Sequence, residues 1–398
     1  MLKGVIFLGN MFKNIAVKIK KLQIFERVQK KNQPDYVLII VTTALIVLGF
    51  LILTSASAHI SQEMFGRPYH FLIRQILFGF LPGLILAFLA FKVRLSFLRK
   101  IAPILLLINL ILLTMVFIPG IGVELWGATR WIRIGPISAQ PSEFLKITFI
   151  LYLASWLSVR IDKKKQRQFK ISETLIAFLI ILGLISSFLI FQPDISTLAV
   201  IALTAVLIYF LANTPLWHSL LIFLIGSGAL IALIEIAPYR LERLLVFLNP
   251  GIDPMGIGFQ AKQALIAIGS GGILGTGLGM GVQKFGFLPG VTADSIFPVF
   301  AEETGFIGSM VLIFLFLLFL WRGFKIAQLS QDTFSQLSAF GITLWIIIQA
   351  FVNIGSMIGV LPLTGIPLPL ISHGGSALIT TLVGVGILLN VSRQTQRL

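Results

Sequence analysis

Acidic residues are scarce in this chain, yet three of them fall within one short segment. The stretch "FLPGVTADSIFPVFAEETGF", residues 287–306, contains Asp294, Glu302 and Glu303, whereas the whole chain has only 15 Asp and Glu residues. Asp294 has no basic residue within nine positions and lies among small, apolar and β-branched neighbours. Partial burial there would raise its pKa toward the range of a general base. A solvated loop aspartate is the simpler interpretation of the spacing alone.

A second charged pair occurs at the start of an apolar run. In "QPSEFLK", Glu143 and Lys146 are three residues apart, which places them on one helical face and within reach of each other. Ionisable groups inside a membrane are costly and are usually paired. Two interpretations stay open: mutual neutralisation that holds helices together, or contact with a substrate. For Glu302 and Glu303, structural pairing is favoured.

Composition places most of the chain in lipid. Of 398 residues, 57% are hydrophobic and only 12% are charged, and the 34 Phe alone outnumber the acidic residues. A soluble domain cannot bury that much apolar surface. The absence of cysteine excludes disulfides and thiolate metal sites. The four histidines are isolated, so we predict no protein metal site, and a requirement for a divalent cation is left open.

A helix needs about 20 residues to span a membrane. Ten apolar runs in this chain are close to that length. We therefore predict an all-α polytopic membrane protein with about ten transmembrane helices, since helices satisfy their own backbone in lipid. The predicted spans are 36–54, 71–91, 101–118, 142–158, 172–191, 196–212, 217–237, 298–321, 335–361 and 368–392.

The distribution of basic residues predicts the orientation. If the N-terminus is cytoplasmic, the inside segments hold 22 of the 31 Lys and Arg residues, as the positive-inside rule requires. Both termini are then cytoplasmic, with a basic segment at 1–35, a transmembrane domain at 36–393 and a tail at 394–398. The main external loops are 119–141 and 238–297, the larger lying between helices 7 and 8. The N-terminal segment is either an amphipathic helix on the inner membrane surface or a disordered basic tail.

The net charge of +16 follows from this topology. Basic groups that flank spans attract anionic membrane lipids. Nucleic-acid binding is therefore not expected.

The glycine-rich segment "GSGGILGTGLGMG", residues 269–281, contains neither G-x-G-x-x-G nor G-x-x-x-x-G-K-[ST]. It does not predict a nucleotide site. Alternate glycines instead favour tight folding or close approach to a neighbouring helix, with approach to a ligand as the less favoured alternative.

Five blocks in order carry a family resemblance. They are "GATRWIRIGPISAQPSEFLK", "FQPDIST", "PYRLERLLVFLNPGIDPMGIGFQAKQALIAIGSGG", "GLGMGVQKFGFLPGVTADSIFPVFAEETGFIG" and "PLTGIPLPLISHGGS". Together they resemble the SEDS family of peptidoglycan polymerases, typified by FtsW and RodA, over about residues 36–393.

The resemblance implies glycosyl transfer that polymerises lipid II on the outer face of the cytoplasmic membrane, beside a penicillin-binding transpeptidase and other divisome proteins. The family's essential loop aspartate falls on Asp294, and its Glu and Lys at the fourth span fall on Glu143 and Lys146. This sequence departs from the usual pattern at Gly290, at Ala293 and Ser295 around the aspartate, and at His373, where the family usually has Tyr.

Under this reading Asp294 is the catalytic base, and cations must meet the charge that develops on the leaving pyrophosphate. The cations that we rank first for this role are Lys146, Arg243 and Lys284. We expect Lys146 to be buried. We expect the other basic residues to be external, namely Lys284, Lys262 and the arginines. The predicted substrate-binding set is Glu143, Lys146, Arg130, Arg133, Arg240, Arg243, Gln260, Lys284, Glu303 and Ser376.

Three alternatives remain. The segment "GLGMGVQK" resembles the division branch, FtsW, more than the elongation branch, RodA. A lipid-linked precursor flippase would show inverted repeats and charge near the bilayer midplane, whereas this sequence shows no convincing repeat and concentrates charge outside. A non-catalytic scaffold would tolerate loss of Asp294.

Overall fold

The computed structural model describes residues 33–125, 128–135, 137–164, 171–212, 214–236, 238–249 and 256–394. The predicted basic segment therefore lies almost wholly outside the described residues, as does the tail beyond residue 394. Within the described part the chain is predominantly helical, which confirms the predicted fold class.

Twelve helices occur in the described residues. In chain order they are α1 (Tyr36–Phe65), α2 (His70–Lys92, with a π-helical turn at Ile76–Phe80), α3 (Leu95–Met115), α4 (Pro141–Lys164), α5 (Ile171–Phe191), α6 (Ile195–Leu211), α7 (Leu216–Ile236), α8 (Pro238–Leu248), α9 (Ile257–Ser270), α10 (Ile296–Gln328), α11 (Thr333–Met357) and α12 (Gly375–Arg393).

A helix lies at each of the ten predicted spans. Eight of them are long and apolar enough to cross a membrane, whereas α6 has 17 residues and the apolar part of α7 covers only Leu220–Ala229. The predicted ends were less accurate: α1 continues to Phe65 and α12 begins only at Gly375. The predicted external segment 238–297 contains the short helices α8 and α9.

The other predicted external loop, 119–141, contains a small antiparallel sheet. Its strands are β1 (Gly122–Leu125), β2 (Ala128–Ile134) and β3 (Ile137–Ala139), in the order β1-β2-β3. The β-branched and aromatic residues in "TRWIRI" are typical of a strand, and the sheet lies within a segment that was predicted only as a loop. Arg130 on β2 donates to the carbonyls of Gln192 and Pro193, which ties the sheet to the turn between α5 and α6.

Two ion pairs with buried carboxylates lie at opposite ends of the contact between α1 and α10. Asp35 caps α1 by accepting from the Leu38 amide at 2.9 Å and pairs with Arg322 at 2.6 Å. Near the other end, Ser55 and Lys284 both bind Glu303. About 20 residues of helix separate the two pairs, or ~30 Å, which is the thickness of the hydrocarbon core.

Helix α10 is broken at Gly305, where φ is 67° and ψ is −164°. The carbonyls of Glu302 and Glu303 accept instead from the amides of Thr276 and Gly277, both at 3.0 Å. Beyond the break, the Phe306 amide donates to the Gly272 carbonyl at 2.9 Å. The broken backbone is thereby satisfied by the glycine-rich segment.

This contact requires glycine at two positions. A Cβ on Gly271 would overlap the Ala301 carbonyl, and one on Gly275, where φ is +86°, would overlap the Glu303 carbonyl. The predicted close approach of the glycine-rich segment to a neighbouring helix is therefore confirmed.

Candidate active site

The backbone of the turn before α10 is fixed by three successive carbonyls. Thr292 O accepts from the His373 amide at 2.8 Å, and Ala293 O accepts from Ser372 Oγ at 2.5 Å. Asp294 O accepts from Asn353 Nδ2 at 2.8 Å. The loop between α11 and α12 and the amide of Asn353 thus set the position of Asp294.

The Asp294 carboxylate is half-buried and has one side-chain donor among the described residues. Gln260 Nε2, on α9, lies 3.3 Å from Oδ2 and also 3.0 Å from Ser295 Oγ. Burial raises the pKa of Asp294, while hydrogen bonds from Gln260 and the local backbone and the charge of Arg243 act in the opposite direction. A carboxylate with a raised pKa accepts a proton more readily than an ordinary aspartate does.

Gly290 explains one departure from the family pattern. Its φ is +69°, and a Cβ there would overlap Asp294 Oδ1. No side chain at position 290 therefore covers that oxygen. Ser295, another departure, is buried and accepts the second hydrogen bond from Gln260.

Glu143 and Lys146 form the predicted ion pair. Lys146 Nζ lies 2.8 Å from Glu143 Oε1 and 2.8 Å from Gln349 Oε1, and both charged side chains are buried. Glu143 Oε2 is buried with no hydrogen-bond partner in the described structure. The pair neutralises itself inside the bundle, and one carboxylate oxygen stays available.

Two amides on α11 connect this pair to the Asp294 turn. Gln349 Nε2 donates to Pro367 O at 2.9 Å, and one helical turn later Asn353 Nδ2 donates to Ile366 O at 2.8 Å as well as to Asp294 O. Sequence reasoning missed both residues. Their signal was present, because two amides four residues apart in the apolar "WIIIQAFVNIG" share one helical face.

Lys284 was predicted to be an available cation on the external loop, but its ammonium group is occupied by an ion pair. Lys284 is buried and its Nζ lies 2.6 Å from Glu303 Oε1, 2.8 Å from Ser55 Oγ and 2.7 Å from Gly279 O. The adjacent Glu302 accepts the Val282 amide at 2.8 Å. The favoured pairing role of the two glutamates agrees with these contacts. No local periodicity in the sequence could show that Lys284 pairs across 19 residues.

The other predicted residues occupy varied positions. Ser376 Oγ accepts from the Gln140 amide at 3.0 Å. Arg243 is exposed, with a 3.4 Å contact to Leu363 O. Arg133 and Lys262 are also exposed, as expected of external cations. The side chain of Arg240 lies outside the described structure.

No group of three or more His, Cys, Asp or Glu side chains that could hold a metal ion occurs in the part of the chain that the structure describes.

Comparison with known proteins identifies the family. Residues 35–397 match the family model described as "Cell cycle protein", which covers FtsW, RodA and SpoVE. The chain belongs to this family. It is 40% identical over 370 residues to the probable peptidoglycan glycosyltransferase FtsW of Nitrosococcus halophilus, covering 92% of this chain and 93% of that protein. It is equally similar, at 40%, to stage V sporulation protein E of Bacillus subtilis, covering 92% and 99%.

Solved structures of family members have the same fold. A chain of the structure described as "Structural coordination of polymerization and crosslinking by a peptidoglycan synthase complex" superposes with a TM-score of 0.72 at 31% identity, covering 90% of this chain and 98% of that one. The rod shape determining protein RodA of Thermus thermophilus gives 0.65 at 28% identity, covering 92% and 98%. The chain is a multi-pass membrane glycosyltransferase of this family.

Proposed function

We propose that this membrane enzyme polymerises lipid II into glycan strands, with Asp294 as the general base. Asp294 would take the proton from the 4-hydroxyl of the acceptor's GlcNAc as that oxygen attacks C1 of the donor's MurNAc. The bond from C1 to the diphosphate breaks, and undecaprenyl pyrophosphate leaves with the electron pair. The configuration at C1 inverts, because attack and departure occur on opposite faces.

The observation that carries the proposal is the environment of Asp294. The backbone of its turn is fixed by three hydrogen bonds, its carboxylate is partly desolvated with a raised pKa, and Gly290 leaves Oδ1 uncovered. A base must be held in place and yet reachable by the hydroxyl that it deprotonates. No other carboxylate among the predicted site residues combines these properties, since Glu143 and Glu303 are buried in ion pairs.

The outer-face location rests on two lines of support. Asp294 precedes α10, whereas Arg322 lies near the other end of that helix and pairs with Asp35 at the start of α1. Asp35 also binds Ser392 near the end of α12, so the site is at the opposite end of the bundle from the start of α1 and the end of α12. Since basic residues concentrate at the terminal side, the positive-inside rule assigns that side to the cytoplasm.

The partner is inferred from related proteins. One similar structure contains a complex that couples polymerisation to crosslinking, which supports a penicillin-binding transpeptidase as partner. Several curated relatives are named FtsW, which supports a role in cell division rather than elongation.

A polymerisation assay tests the proposal. Purified protein in detergent would be incubated with lipid II, with and without a cognate transpeptidase, and products would be resolved on a gel. We expect glycan strands in at least the condition that contains the partner. If neither condition gives strands while vesicles containing the protein translocate lipid II, the flippase reading replaces this one.

A further inference from the structure

The proposed reaction needs a cation for the lipid diphosphate, yet two of the three cations ranked first are neutralised. Lys146 pairs with Glu143 and Lys284 pairs with Glu303, and all four side chains are buried. Arg243 alone of the three is exposed. A polymerase that joins two lipid-linked substrates must accommodate two diphosphates.

A group of basic side chains lies on the other flank of the Asp294 turn. Gln75 of α2 holds the loop at residue 373 from both sides: its Nε2 donates to Ser372 O at 3.2 Å and its Oε1 accepts from the Gly374 amide at 3.0 Å. The His373 amide in turn binds Thr292 O. The start of α2 is thereby fixed, through one short loop, to the turn that bears Asp294.

The basic group consists of Arg74, His70 and His373, and we name it the α2 cationic cluster. The Phe71 ring meets the His373 ring edge to face with centroids 5.2 Å apart, and the His70 ring stacks on Phe65 at 3.7 Å. Burial first, and then the charges of Arg74 and His70, lower the pKa of His373 to about 4. At neutral pH His373 is therefore uncharged, whereas Arg74 keeps its positive charge.

The charge of the cluster is not compensated within the described structure. Arg74 is exposed and has no ion-pair partner among the described residues, and His70 Nε2 is buried there without a hydrogen-bond partner. An exposed arginine guanidinium, with the unpartnered nitrogen of His70 one helical turn away in the sequence, suits a phosphate group.

An apolar surface continues from Arg74 into the membrane. Leu77, Phe78, Leu81 and Ile85 follow Arg74 at helical spacing on α2, and each is 42% to 62% exposed. Of the spans in the described structure, α2 is the least buried. A cation at the outer end of a lipid-facing stripe fits an amphiphile whose anionic head and apolar tail are joined.

We propose that the α2 cationic cluster binds the diphosphate of a lipid-linked substrate, with Arg74 as the principal contact and the isoprenoid tail lying along α2. The inference rests on the proposed function in one respect only, namely that such a lipid is the substrate. Arg74 is a binding residue on the flank of the Asp294 turn, and Asp294 remains the base.

Binding measurements on the full chain in nanodiscs test the site without requiring turnover. The probe is undecaprenyl pyrophosphate, and undecaprenol, which lacks the charge, is the reference lipid. Arg74→Gln should weaken binding of the pyrophosphate by about tenfold or more, as expected for loss of a charge-assisted contact, and should leave undecaprenol binding unchanged. Arg74→Lys keeps the positive charge but not the paired N–H donors of the guanidinium, and it should lose less affinity for the pyrophosphate.

The matched control is Arg67→Gln, which removes another exposed arginine near the start of α2 and should bind as the parent does. If Arg74→Gln and Arg67→Gln lose equal affinity for the pyrophosphate, the effect comes from general surface charge. That result would overturn the proposed site. Unchanged pyrophosphate binding by Arg74→Gln, with weaker binding of lipid II alone, would assign Arg74 to the stem-peptide carboxylates and also overturn it.

The two proposals fail separately. If the parent makes no glycan but Arg74→Gln loses pyrophosphate binding, the diphosphate site stands and the polymerase proposal falls. If the parent polymerises lipid II and Arg74→Gln has the parent's binding and the parent's KM, the polymerase proposal stands and the site falls.

Discussion

At the scale of single residues, the site separates one accessible carboxylate from several that are neutralised. Asp294 is held by backbone contacts and by one side-chain donor, Gln260. Glu143 and Glu303 each face a lysine below 3 Å in a buried environment. All three carboxylates are partly or fully removed from water, but only Asp294 has no cation in direct contact. Its carboxylate therefore keeps the basicity that proton abstraction requires.

The raised pKa of Asp294 predicts an acid limb in the rate profile. Activity requires the ionised carboxylate, so kcat/KM should fall as pH falls through a midpoint above that of an ordinary aspartate. The Gln260 hydrogen bond favours the ionised form, and Gln260→Leu should therefore move the midpoint to higher pH. Arg243→Gln should move it in the same direction. A midpoint that shifts downward in either variant would contradict this environment for the base.

The pair Glu143 and Lys146 predicts a coupled effect on stability. Lys146→Met leaves Glu143 buried and unpaired, which should cost about 3–5 kcal/mol. The double variant Glu143→Gln with Lys146→Met should recover most of that loss, measured as the thermal midpoint in detergent. Recovery of the midpoint without recovery of polymerisation would assign Lys146 a substrate role. Recovery of both would make the pair structural.

At the scale of elements, the glycine-rich segment and the broken helix α10 form one unit. The segment supplies amides to the carbonyls of Glu302 and Glu303, and its own Gly272 and Ile273 carbonyls accept from the far side of the break. Non-helical backbone at membrane depth needs such partners. The Asp294 turn lies in the chain between the glycine-rich segment and α10, so its position depends on the unit being intact.

Two glycines only two residues apart make a matched test of that contact. Gly271→Ala would push a Cβ against the Ala301 carbonyl and within 3.0 Å of Glu302 Cα, whereas a Cβ on Gly269 meets nothing within 4 Å. Overpacking of this kind typically costs about 1–3 kcal/mol. Gly271→Ala should lower the thermal midpoint and Gly269→Ala should not. Equal midpoints for the two variants would mean that the segment is not packed on α10 as described.

The sequence predicted elements well where information is local. Apolar run length located a helix at each predicted span, and the β-branched and aromatic residues at 129–134 carried a strand signal that the loop assignment overlooked. Contacts between distant segments were not readable. Gln75, Asn353 and Ser372 converge on the Asp294 turn only because α2, α11 and the last loop pack together. The pairing of Lys284 with Glu303 could not be predicted for the same reason.

At the scale of the whole molecule, the bundle has two faces that lie about one hydrocarbon-core thickness apart. Asp35 and Arg322 mark one face, and the pair Lys284 with Glu303 marks the other. The Asp294 turn lies beyond the second pair along α10, since it precedes Ile296. The proposed topology therefore puts the site at the membrane surface, where the proposed lipid-linked substrate can reach it without leaving the bilayer.

The absence of cysteine allows a direct test of this topology. Gln331→Cys lies in the connection between α10 and α11, and Lys262→Cys lies on α9; both positions are exposed. A membrane-impermeant maleimide added to intact cells should label Lys262→Cys and should reach Gln331→Cys only after the membrane is opened. The reverse labelling would place Asp294 in the cytoplasmic compartment and overturn the proposed site.

The central claim is that Asp294 acts as the base, and the polymerisation rate of Asp294→Asn tests it most directly. The amide is nearly isosteric, so folding and lipid II binding should be kept. The pKa of Asp294 is raised in the folded state, so ionisation of Asp294 lowers the stability of the parent once pH exceeds the unfolded pKa. The variant does not carry this cost. Its thermal midpoint at neutral pH should therefore equal or exceed that of the parent. A positioned general base contributes about 10² to 10⁴ in rate. Glycan formation should therefore fall at least about a hundredfold; polymerisation near the parent rate by the folded variant would contradict the account.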